Sequence, residues 1–306
     1  MQVEIKKDLQ LSREDTMLLD MHSFYNVINI LSGELQVLQI MADDQGTLQE
    51  CINLVFQIKD SLNNASSALE HAKKVDDHFK FIRGRIDEFM EQNPYLKEDP
   101  EAQESVDNIE SVFGILQVRA KEIITRLEDP DKWMEHDLGE LLQNFVDVFS
   151  AIEKNSKGKY RFVYNLAVQE EKDYYINLNL ESVDMRKIYM PPVFQDVMRD
   201  IIANARKYTD PGGKILVGLF GDSEKLRFAV EDSGWGISED EIEQVVDYGY
   251  RGTNARNKKT MGGGFGITKA YWVTKQFAGR MWIDSAAGQG TRMDIHIPCP
   301  ARRDKS

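Results

Sequence analysis

Asp200, Asn204 and Lys207 recur at i, i+4 and i+7 in a stretch with helical periodicity, so they share one helix face. A carboxylate, an amide and an ammonium on one stripe suit a hydrated magnesium ion (Mg2+) and the phosphates it bridges. Magnesium prefers oxygen ligands and keeps several waters, so the amide oxygen of Asn204 can suffice as the direct protein ligand. Taken alone, the same stripe reads at least as well as a solvated helix face. Downstream, Glu231-Asp232-Ser-Gly234-Trp-Gly236 directly follows a strand pattern. An aspartate at a strand end can accept a hydrogen bond from an exocyclic amine such as adenine's, and glycines let the backbone approach the base. A plain strand-ending turn is the alternative there. A third stretch, Gly262-Gly-Gly264-Phe265-Gly266, opens a helix, where successive N–H groups and the helix dipole favour an anion. The polar, cationic run from Tyr250 to Thr260 reads as a lid over phosphates or as a simple hairpin. Each signal is moderate; their order and spacing together are strong.

One histidine in the first half has a distinctive setting. His22, Asn26, Asn29, Gly33 and Gln36 fall on one polar or small-residue stripe of an otherwise apolar helical segment. A histidine on the wet face of a core helix can be reached by another domain, and neutral imidazole is a nucleophile near pH 7. Without a phosphoryl donor elsewhere in the chain, an ordinary surface histidine is the default. His71 and His78 sit in charged contexts, His136 in a linker and His296 in a late strand, none with comparable companions.

The elements that must position these groups fall into two kinds. Residues 13–42 read as one long helix, opened by Ser12 with Asp15 three residues on. After a turn at 43–46, a second helical region spans about 47–92 and stops at Asn93-Pro94. A third helix covers about 101–127, and 138–149 reads as a short helical or extended connection. From Tyr160 onward, strand patterns at 161–164, 174–178, 214–220, 225–230, 281–284 and 292–297 alternate with helices at 193–208 and 267–277. The expected fold class is α+β: a helical domain over 1–137, then over 138–306 a sandwich of one sheet with helices on one face.

A formal charge of −13 argues against nucleic acid and anionic membranes as partners, since both are bound through an excess of Lys and Arg. Two cysteines far apart, Cys51 and Cys299, are too few for a disulfide framework or a zinc site. No stretch approaches the ~18 apolar residues of a membrane span, and the first residues lack a signal core, so a cytoplasmic location is expected.

Residues 190–298 resemble the GHKL-type ATP-binding domain of sensor histidine kinases, whose relatives are the gyrase, heat-shock chaperone and mismatch-repair ATPases. Asn204-Ala-x-Lys207-Tyr208-Thr is similar to the family's asparagine box, Asp232-x-Gly234-x-Gly236 to its first glycine box and Gly262-x-Gly264-Phe265-Gly266 to its second. Ser285-x-x-Gly288-x-Gly290-Thr291 resembles its closing hairpin. The resemblance implies ATP and magnesium as cofactors, with Asn204 on the metal, Lys207 on phosphate, Tyr208 against adenine and Asp232 on its amine. His22-x-x-x-Asn26 within residues 14–41 resembles the family's phosphoacceptor helix, which implies a phosphohistidine at His22 and onward transfer to an aspartate of a response-regulator receiver domain. It also implies a homodimer through the N-terminal helices, and a separate sensor protein can supply the signal. The related ATPases take a catalytic side chain from a further domain, for which the few residues after Pro298 leave no room; the kinase branch is therefore expected. Three departures stand out. Ser23 follows the histidine where the family has an acid, Asp200 stands where Asn or Glu is usual, and about fifty extra helical residues follow the acceptor helix. The last departure leaves open a four-helix bundle within one chain. A phosphotransfer intermediate without ATP hydrolysis and a serine-directed kinase of the dehydrogenase-kinase type are the rival readings.

Overall fold

The computed structural model describes residues 2–42, 46–156, 158–256 and 264–301. The chain divides into two compact units, Leu11–Pro130 and a second made of Met1–Gln10 with Asp131–Ser306.

The first unit is helical. In α1 (Arg13–Met41), Ser12 accepts the Asp15 N–H at 3.0 Å while the Asp15 carboxylate accepts the Ser12 N–H at 3.0 Å. This reciprocal pair satisfies two of the donors a helix start leaves open. The second helical region is three helices, α2 (Gln49–Ser61), α3 (Ala65–Lys73) and α4 (Val75–Gln92). The first break falls where Asn64 turns its side chain onto the Ser66 and Ser67 N–H groups, since an Asn that caps a new helix does not continue the old one. Asp99 caps α5 (Pro100–Glu128) with proline in its first turn, where a missing N–H costs nothing. Apolar residues of all five helices form one core.

The second unit is built on a seven-stranded sheet. Its strands are β1 (Gln2–Ile5), β3 (Phe162–Val163), β4 (Tyr174–Ser182), β6 (Lys214–Gly221), β7 (Lys225–Asp232), β8 (Arg280–Ser285) and β9 (Thr291–Pro298). The order is β1-β8-β9-β7-β6-β4-β3, with β3–β4 and β4–β6 parallel and the other pairs antiparallel. A separate antiparallel pair joins β2 (Met134–Asp137) to β5 (Lys187–Met190). Alternate residues such as Ile215, Val217 and Leu219 are buried along β6, and Leu226, Phe228 and Val230 along β7. Against this face pack α6 (Leu138–Asn155), α7 (Phe194–Lys207) and α9 (Gly266–Gln276); a short α8 spans Thr253–Arg256. The fold class is therefore the expected α+β.

Two details differ from the sequence expectation. The connection at 138–149 is a full helix to Asn155, started by the Asp137 side chain accepting the Glu140 N–H at 3.0 Å. The expected division at 137 also moves. Residues 2–5 pair with β8, and the Tyr271 hydroxyl donates to the carbonyls of Ile5 at 3.2 Å and Lys7 at 2.7 Å. Residues 134–137 pair with β5, so both ends of the helical stretch belong to the sheet unit.

Candidate functional site

The buried stripe Val197, Met198, Ile201, Ile202 and Ala205 fixes α7 on the sheet, which turns Asn204 and Lys207 to its less buried side. Tyr208 is the residue that ends the helix. Both glycine stretches close on this part of α7. At Gly266, the first residue of α9, a Cβ would stand 3.0 Å from Asn204 Nδ2 and 3.5 Å from Asp200 Cβ. At Gly234 a Cβ would stand 2.2 Å from the Tyr208 carbonyl oxygen, which instead accepts the Trp235 N–H at 3.0 Å. Only a residue without a side chain lets the backbone come this close.

Asp232 ends β7 opposite Thr291 in the ladder to β9. Its Oδ1 accepts the Gly234 N–H at 2.8 Å. Burial pushes the carboxyl up to about 6, against the pull of hydrogen bonds from the Gly234 and Thr291 backbone and the Thr209 hydroxyl. The loop beyond is clamped from below. Ser285 Oγ accepts the Ile237 N–H at 2.8 Å, donates to the Gly290 carbonyl at 2.8 Å and lies 3.0 Å from the Thr291 hydroxyl. Gly236 has a φ of 65° and a Cβ there would meet the Ala286 carbonyl oxygen at 1.9 Å.

Lys207 and Tyr208 meet a third group, Arg251. Burial lowers the Lys207 ammonium from its ordinary value, and the positive charge of Arg251 lowers it further. Burial raises the Tyr208 phenol, which the Arg251 charge and hydrogen bond oppose. Two cations brought together this way are an arrangement that a polyanion relieves. In the sequence Arg251 was one member of a cationic run. Nothing there distinguished it from Arg256, Lys258 or Lys259.

Two further residues escaped sequence reasoning. Lys269, 1% exposed on α9, places its Nζ 3.2 Å from Asp196 Oδ2 and 3.7 Å from Asp200 Oδ2. Asp200 thus faces a buried lysine as well as the polar stripe. Glu241, 5% exposed, accepts from the Tyr250 hydroxyl at 2.8 Å and from the Thr253 N–H at 2.9 Å and hydroxyl at 3.1 Å. It anchors the first residues of the run read as a lid, and Asn254 Nδ2 adds a bond to the Gly236 carbonyl at 2.6 Å. A lysine in an apolar helix was the one visible hint of the first; Glu241 stands in an acidic run that looks solvated.

The Phe265 ring lies 4.8 Å from that of Tyr248, and Gly264 packs against the backbone of Gly249 and Tyr250. Gly262 lies outside the described residues, as do positions 257–261 and Gly263. The structure thus groups Asp200, Asn204, Lys207, Tyr208, Asp232, Gly234, Gly236, Gly264, Phe265, Gly266 and Thr291 in one neighbourhood. These residues, with Arg251, fit a magnesium nucleotide: glycines that let the backbone close on Asn204 and Tyr208, an amide oxygen, two cations and a buried carboxyl acceptor.

His22 and Asn26 lie on α1, in the helical unit. Asn26 Nδ2 is 3.2 Å from His22 Nε2 on the outer side of the helix. With the amide donating, the ring carries its proton on Nδ1 and its lone pair on Nε2. The other histidines are engaged differently. His71 Nδ1 and His78 Nε2 face each other at 3.1 Å, His136 lies between the Met190 carbonyl and Gln195, and His296 bonds Asp294.

Residues 191–301 match the family described as histidine kinase-, DNA gyrase B- and HSP90-like ATPase. Sensor histidine kinase WalK of Bacillus subtilis is 24% identical over 177 residues, 57% of this chain and 27% of its own length. Sensor histidine kinase RppB of Synechocystis sp. is 32% identical over 102 residues, 33% of this chain and 22% of its own. The chain thus spans about a quarter of the length of these curated relatives. The mycobacterial sensor histidine kinase MprB aligns at a TM-score of 0.40 and 18% identity, over 55% of this chain and 100% of that one, a level that adds nothing to the sequence match. Residues 191–301 thus match an ATPase domain of this family, and the proteins that the chain resembles in sequence are sensor histidine kinases.

Proposed function

We propose that this protein is an ATP-dependent histidine autokinase of a two-component phosphorelay. Asp232 accepts the adenine amine, Tyr208 covers the base, and Lys207 with Arg251 faces the phosphates. Asn204 offers its amide oxygen to magnesium, which when bound neutralises phosphate charge. His22 Nε2 gives up its bond to Asn26 and attacks the γ-phosphorus as the bond to the ADP oxygen breaks. The imidazolium then sheds its Nδ1 proton. The phosphoryl group passes on to an aspartate of a response-regulator receiver domain. Positioning and charge neutralisation carry most of the rate in such transfers. Among the described residues no helix is long and apolar enough to cross a membrane.

The observation that carries this reading is the closure of both glycine stretches on the Asn204–Tyr208 end of α7. Incubation with radiolabelled ATP and magnesium tests it. Wild type should take acid-labile label, His22→Ala and Asn204→Ala none. Label that survives acid would favour the serine-directed reading, and label on His22→Ala would move the acceptor.

A further inference from the structure

The helices α2–α4, inserted between the acceptor helix and α5, have no part in the chemistry above. Their contacts give them one. Glu34 accepts from Asn108 at 3.0 Å and Asp20 from Arg126 at 2.9 Å, so α1 and α5 run antiparallel. Gln39 meets Gln49 at 3.4 Å and the Lys59 ammonium lies 4.9 Å from the Tyr25 ring centre, so α1 and α2 do too. Thr47 bonds Gln92 at 3.0 Å and Arg85 pairs with Glu50, which sets α4 antiparallel to α2. Gln117 bonds Asp76 at 2.7 Å and Arg83 pairs with Glu110, which sets α5 antiparallel to α4. The ring closes: one chain makes an up-down-up-down four-helix bundle, with α3 linking α2 to α4 and packed on α5.

The seam of α1 is spent inside this bundle. Met21, Phe24, Ile28, Leu31, Leu35 and Leu38 follow the alternating three-four spacing of helices that pack side by side, and each is 2% exposed or less. They share one buried cluster with Val55 and Ile58 of α2, Ile82 and Phe89 of α4 and residues of α5. A two-helix hairpin built to meet a second copy leaves such a seam open until the copy arrives. Ile30, Val37 and Ile40 are exposed, but they lie on the outer side with Asn29, Gly33 and Gln36.

We infer that α2–α4 take the two places a partner's hairpin would fill, so that this chain is a monomer. The homodimer implied by the family resemblance is the competing outcome of the test. Resting on the histidine-kinase reading, transfer to His22 is then intramolecular. Sedimentation velocity of the full chain at rising micromolar concentration should return a mass of 35.2 kDa throughout; a doubled mass overturns the inference. Mixing His22→Ala with Asn204→Ala should give no label, whereas label in the mixture overturns intramolecular transfer. If wild type itself takes no label, the kinase reading has failed and the mass still decides the oligomeric inference.

Discussion

Asp232 shows how a side chain proposed to hold a ligand is set against the stability of its own fold. Its carboxyl is raised to about 6 by burial, so the native chain holds a proton there that the unfolded chain releases near 3.8. The native state gains most from this group below the unfolded value. That contribution is lost as pH rises through about 6. Replacing Asp232 with Asn should remove this dependence: the wild-type minus variant difference in urea midpoint should fall between pH 4 and 6 and stay level above. The variant should also bind ATP at least tenfold more weakly by calorimetry, because its side chain no longer offers a carboxylate to the amine. A level difference across that window would mean that Asp232 is not held in the buried, protonated form. The residue types of this neighbourhood were legible in the sequence because Asn204, Asp232 and the glycines keep fixed spacings within single stretches. Lys269, Glu241 and Arg251 were not, because Lys269 pairs with Asp196 73 residues away and the other two stand within runs of like residues. Spacing carries no such information.

At the scale of elements, the start of α9 decides whether the cradle can form. Gly266 stands where a methyl group would press on Asn204 Nδ2 at 3.0 Å. Helix propensity alone would favour alanine there by about 1 kcal/mol. Gly266→Ala should therefore leave the melting temperature unchanged or slightly raised, while MgATP affinity falls roughly tenfold or more as Asn204 is displaced. Unchanged affinity in calorimetry would show that Asn204 has room to move and is not held by this contact. The long helices were readable from their three-four periodicity and breaker residues. The short strands β1 and β2 were not, since four residues carry too little alternation to be told from coil. Their partners, β8 and β5, lie about 280 and 50 residues away. The breaks within 47–92 were missed for a related reason: Asn64 reads as an ordinary polar residue until its side chain is seen capping α3.

The whole molecule carries two separate hydrophobic cores, one in the bundle and one under the seven-stranded sheet. Each unit closes its own core, so each has the means to unfold as a cooperative body. ATP contacts are proposed for the sheet unit alone, which makes nucleotide a selective probe of that unit. At a hundredfold excess over its dissociation constant, a ligand adds about 2.7 kcal/mol to the state it binds, a shift of roughly 5–10 °C for a unit of this size. Calorimetry of the full chain should resolve two transitions, and MgATP should raise one by that amount while leaving the other in place. The unmoved transition should be the one lowered by Leu35→Ala, which opens a cavity in the bundle and costs about 3 kcal/mol. If MgATP raised the transition that Leu35→Ala lowers, the nucleotide site could not be confined to the sheet unit. If MgATP moved neither, the Asn204–Asp232 neighbourhood would not be a nucleotide site at all.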